Sequence, residues 1–188
     1  MRSVLALVTL VLCAVTCAAQ RDYFTPEEVE IIRDTQVVDA RINVLTHIID
    51  RRFAALKVDV NAPIFKEIGD WGSAPQGTRL ELLIDVKRIL QKAVDDVDEL
   101  ALRPNSGLIE DPLTQKKTKS YAEVFPKAVR NLAAAAQRYQ PALKAELDKS
   151  TDPMEKGAIL DSLDLCDEII VSVAKLPAAP PEPKKTKN

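Results

Sequence analysis

Residues 78–102 read TRLELLIDVKRILQKAVDDVDELAL, and this stretch decides the fold class. Apolar residues at Leu83, Val86, Leu90, the adjacent Ala93 and Val94, Val97 and Ala101 recur at helical spacing, otherwise in steps of three and four. Leu82, Ile89 and Leu100 flank that stripe. The period is that of an α-helix with one apolar face, not of a strand. Arg103-Pro104 ends the pattern, since the residue before a proline is pushed out of helical geometry. Elsewhere the chain keeps the same period, holds only five glycines and shows no β-branched alternation, so an all-α protein is expected.

Three further helices are read outward from this one. Thr25-Pro26-Glu27-Glu28 carries the marks of a helix start: a Thr cap, Pro at the first helical position and Glu closing a capping box. The stripe Ile31, Val38, Ile42, Leu45, Ile49, Phe53, Leu56 meets no breaker before residues 58–63, which predicts one helix of about thirty residues, roughly 45–50 Å long. Residues 120–149 form the third helix, with Tyr121, Val124, Phe125, Ala128, Val129, Leu132, Ala136 and Tyr139 inward. Pro141 in its interior removes a backbone donor and predicts a kink or break near 138–140. The fourth starts at Thr151-Asp152-Pro153 and runs to about Leu176, with Ile159, Leu163, Cys166, Ile170 and Val173 inward. Four helices with one stripe each are satisfied together as an antiparallel up-down-up-down four-helix bundle with two long loops. In segment 59–77, Ile64, Phe65, Ile68 and Trp71 are expected to cap the bundle end, through a short helix after Pro63 stopped by Gly69.

The N-terminus, MRSVLALVTLVLCAVTCAA, has one Arg, an apolar run from Val4 to Val15 and small residues after it. That is the layout of a secretory signal, and the run is too short for a membrane span. The domain plan is therefore a signal at 1–19, a helical body at 20–176 and a tail at 177–188, PAAPPEPKKTKN, read as disordered. Lipid anchoring at Cys17 is the less favoured alternative, because Ala14-Val15-Thr16 matches a lipoprotein site poorly. Loss of the signal removes Arg2, Cys13 and Cys17, which takes the net charge from −2 to −3 and leaves Cys166 alone. Near charge balance argues against a nucleic-acid partner. A single cysteine cannot form an intramolecular disulfide, so packing must hold the exported fold together.

Few residues carry distinctive chemistry. His47 is the one histidine, so metal sites built on several histidines are excluded. Covalent haem would need Cys-x-x-Cys-His, which is absent, non-covalent haem on His47 and Met154 is the less favoured alternative, and no cofactor is expected. By helical phase His47 should face solvent, with Asp39, Asn43 and Asp50 on the same solvated face. The acidic sets Asp95, Asp96, Asp98, Glu99 and Asp161, Asp164, Asp167, Glu168 are likewise expected on solvated faces. Cys166 is expected as an inert core residue. Trp71 is expected to cap the bundle end, with a partner anchor as the sharper alternative.

The bundle topology would gather Lys116, Lys117 and Lys119 beside Lys184, Lys185 and Lys187, a basic end suited to peripheral contact with an anionic membrane surface. No catalytic set emerges. The favoured expectation is a non-enzymatic exported protein, periplasmic or extracellular, that engages an unknown protein or envelope component. The alternative is a small-ligand binder or hydrolase using carboxylates in a pocket between helices or under 59–77.

Overall fold

A computed structural model describes residues 22–65, 70–104 and 119–176, so the expected signal, the tail and Lys116, Lys117, Lys184, Lys185 and Lys187 lie outside the described residues. Within them the chain is all-α. It comprises α1 (Pro26–Asp34), α2 (Val38–Ala55), α3 (Arg79–Leu102), α4 (Tyr121–Lys149) and α5 (Pro153–Ser172), the last closed by a 3-10 turn at Val173–Lys175.

The expected thirty-residue first helix is two helices. The α1 start is as read: Thr25 Oγ1 accepts from the Glu28 N–H at 3.3 Å, and Glu28 Oε2 accepts from the Thr25 N–H at 3.0 Å. After Asp34 the Thr35 hydroxyl donates to the Ile31 carbonyl at 2.7 Å, ending the helix at Thr35–Val37. In one straight helix Glu28 and Arg52, 24 positions apart, would stand roughly 36 Å from each other. Instead Arg52 Nη2 donates to Glu28 Oε2 at 2.7 Å. α1 therefore folds back along α2, and a buried Glu28 lies against Arg51 and Arg52.

α2 stops at a left-handed Lys57 (φ 60°), where the Val58 N–H reaches back to the Phe53 carbonyl. Capping boxes at Thr78–Glu81 and a cap from Asp152 to the Met154 N–H place the starts of α3 and α5 where the sequence puts them. α4 runs unbroken through Pro141, whose ring is exposed. The lost donor at 141 therefore leaves a carbonyl that water can satisfy, and the expected break does not occur.

α2 packs on α3 and α4, and α5 packs on α3 and α4, leaving α2 and α5 apart. Arg52 lies near Asp85 and Arg41 pairs with Asp96, so α2 and α3 run antiparallel. α2 and α4 run parallel and are neighbours, whereas the expected antiparallel bundle would place them diagonally and set α2 beside α5. Along their contact Lys127 Nζ stands 3.1 Å from Asp39, Asn131 donates to Asn43 at 2.8 Å, and Arg138 meets Asp50 at 3.2 Å. The face expected to be solvated is thus a polar seam between helices. Asp39 and Asp50 are buried in it, and Asp96 is buried against Arg41 and Lys92. The apolar stripes fill the space between: Ile42, Leu45, Ile49 and Phe53 of α2 meet Leu83, Val86 and Leu90 of α3 in one core with Leu132, Ala136 and Ile159. Buried Ala128, Ala133, Ala135 and Ala136 let α4 approach its neighbours closely.

Candidate functional site

Two features of the surface are candidates for function: the strap formed by residues 59–65 and 70–77, and a groove between α3, α4 and α5. The strap does not sit on an end. It lies along the outer flank of α2, pinned at both sides. Arg138 Nη1 donates to the Val60 carbonyl at 3.2 Å, and Arg51 Nη2 donates to the Ser73 carbonyl at 2.5 Å. Between the pins, Phe65 stacks on the His47 ring at 4.2 Å between centroids, and Trp71 meets that ring edge-on at 4.6 Å. The Arg51 guanidinium lies 5.6 Å from the Trp71 ring centroid. His47 therefore leaves the core, as its phase requires, but is roofed by aromatic rings instead of facing water. Ile64, next to Phe65, is fully exposed and Asp70 is exposed, while Phe65 and Trp71 are half-buried. Ile64 and Phe65 are not helical, and Ile68 and Gly69 lie outside the described residues.

Gly72 makes the strap's return possible. Its φ is 61°, and a Cβ there would fall 2.6 Å from the Glu27 side chain. Glycine alone adopts that φ without strain. The Trp71 indole N–H is buried with no hydrogen-bond partner among the described residues.

The groove has a volume of about 210 Å³ and is walled by Val94, Val97, Phe125, Leu132, Ile169 and Leu176. Asp98, Glu168, Ser172 and Lys175 supply its polar rim. Phe125 is backed by Tyr121, stacked at 5.1 Å. Nothing in the sequence marked this groove, because its walls are the edges of three stripes read separately as core.

The buried carboxylates elsewhere are held as structural charges. Burial pushes the Asp39 carboxyl up, but the ammonium groups of Lys119 and Lys127 outweigh it and hold it below its ordinary range. Lys119, read as part of a basic end, lies 2.9 Å from Asp39. Burial likewise opposes Lys149 and Arg79 at Glu146, where the two cations prevail and lower the carboxyl. At Asp50 burial prevails over Arg138 and the pKa is raised. Burial raises Tyr139 well above the usual phenol range, and its hydroxyl donates to the Thr46 carbonyl at 3.0 Å. Cys166 is buried and its thiol is pushed up to about 12 by burial and then by Asp167. Asp161, Asp164, Asp167 and Glu168 are exposed on α5.

Among the described residues no group of three or more His, Cys, Asp or Glu side chains could hold a metal ion. No described helix is long and apolar enough to cross a membrane. Comparison with protein-family models, curated proteins and solved structures finds no match to this chain.

Proposed function

We propose that this chain is the precursor of an exported, non-enzymatic interaction protein whose mature body is a four-helix bundle with α2 and α4 as parallel neighbours. The strap along α2 is its partner-binding edge. The observation that carries this reading is the placing of Ile64. An isoleucine wholly in water stands beside a Phe65–His47–Trp71 stack pinned by two arginines. Such a site pairs a rigid, pre-paid platform with an apolar side chain that gains only when something covers it. The pairing of buried carboxylates supports the same reading. Glu28, Asp39, Asp96 and Glu146 each meet two cations, which suits charges that hold helices together rather than groups free to move protons.

Intact mass of the protein recovered outside the cytoplasm tests export. Cleavage after Ala19 or Ala18 is expected, and a full-length product confined to the cytoplasm would overturn that part. Ile64→Asp tests the binding edge. It should leave the unfolding midpoint unchanged and abolish co-purification of whatever the wild-type protein retains. Retention of the same partner by Ile64→Asp would remove the strap from consideration. A second reading, a small-ligand binder, is favoured by the groove alone. Its apolar walls with Asp98 and Glu168 at the rim suit holding a molecule more than cleaving one.

A further inference from the structure

We propose that the groove between α3, α4 and α5 is the docking site of the chain's own C-terminal segment, residues 177–188. Leu176 is both a wall of this groove and the residue from which that segment departs. A tethered segment meets the groove at a high effective concentration, so weak contacts suffice. The backbone at Leu176, φ −83° and ψ 151°, already has the polyproline II geometry that a following proline favours.

The segment's sequence fits a polyproline II ligand. Pro177, Pro180 and Pro183 recur at every third residue, which aligns them on one face of a helix with three residues per turn. Faces of that kind dock in aromatic-lined grooves. Here Phe125 lines the groove with Tyr121 stacked behind it.

Charge points the same way. The segment carries Lys184, Lys185 and Lys187 against one Glu182, while the rim carries Asp98 and Glu168 against one Lys175. Asp98 stands near the negative end of the α3 dipole, where cations are favoured, while Glu99 beside it is paired with Arg103 at 3.3 Å. Reach is sufficient. Eight residues in this geometry extend roughly 25 Å from Leu176 to Lys184. The helix rise separates Glu168 from Leu176 by roughly 12 Å, so the segment has length to turn back over the rim. The inference is independent of the partner-binding edge on α2. A docked tail would compete with any other occupant of the groove and hold its lysines away from an anionic membrane.

The test compares amide NMR spectra of the mature chain with and without residues 177–188. Deletion should shift the signals of Val97, Val129 and Leu132, which lie far from the cut in sequence. Adding a synthetic peptide of residues 177–188 to the truncated protein should move them back. Asp98→Asn with Glu168→Gln should weaken that peptide's binding by about threefold to tenfold, the worth of two rim ion pairs. Signals that change only near residues 172–176 on deletion would overturn the proposal. So would shifts that depend on protein concentration, which would place the tail in the groove of a second copy. Groove signals that respond to a small apolar dye but not to the peptide would assign the groove to a small molecule instead.

Discussion

Asp50 and Arg138 face each other across two parallel helices, 88 positions apart, the same separation that pairs Asn43 with Asn131. Asp39 and Lys127 stand at that separation too. A slip of one turn between α2 and α4 would break all three pairs together, so the seam sets the register of two helices that apolar stripes alone would leave free to slide.

Removing one side of this seam should therefore cost more than the pair itself contributes. Arg138→Met leaves the Asp50 carboxylate buried without its partner and withdraws the donor to the Val60 carbonyl. We expect a loss of about 3 kcal/mol, read from urea unfolding. The double variant Asp50→Leu with Arg138→Met should recover much of it. An Arg138→Met protein as stable as wild type would mean that the seam is not closed in solution.

Acid should loosen the fold through Asp39 and Glu146. Both have folded pKa values below their ordinary ones of 3.8 and 4.5. Their contributions are complete above those ordinary values and vanish as pH falls through the lowered folded values. Asp50 works in the opposite sense: its raised pKa means that protonation favours the folded state as pH falls. Asp39→Asn should lower stability at pH 7 by about 1–2 kcal/mol, the worth of charge-assisted hydrogen bonds. It should also show a smaller further loss between pH 5 and pH 2 than wild type. Parallel pH profiles for the two proteins would contradict this assignment.

Cys166 gives a chemical readout of packing. A thiol pushed up to about 12 and wholly buried should be inert to a thiol-specific reagent at pH 8 in the folded chain of residues 20–188. It should react at once in 6 M guanidinium. Fast labelling of the folded protein would show that α5 does not seat as described.

Trp71, the single tryptophan, reports on the strap. Its indole packs on His47 and under Arg51. His47→Ala should move its fluorescence to longer wavelength while changing unfolding free energy by less than about 1 kcal/mol, since His47 is outside the core. An unchanged emission maximum would mean that the strap is not laid on α2.

Much of the fold was legible because helix stripes and caps are local. Thr25, Thr78 and Asp152 mark three starts, and the inward positions of residues 82–100 follow from spacing alone. What escaped was mostly non-local. The break at Thr35 depends on a hydroxyl turning back to Ile31, and on Glu28 being drawn to Arg51 and Arg52. The end of α2 falls where the stripe stops at Leu56, though the left-handed Lys57 that turns the chain there is not a glycine. Asp39, Asn43 and Asp50 looked like a wet face because their partners are 80 or more positions away. For the site, Trp71 was singled out, but its contact with His47 had no sequence signal. The groove could not be seen until three helix edges met.

The binding edge on α2 is the central claim. A photo-crosslinking residue at position 64 of the chain tests it, with position 102 on α3, also strongly exposed, as the control. Position 64 should give one discrete crosslinked partner and position 102 none, and the product should be lost when Trp71 is replaced by Ala. Equal or absent crosslinking at the two positions would contradict it.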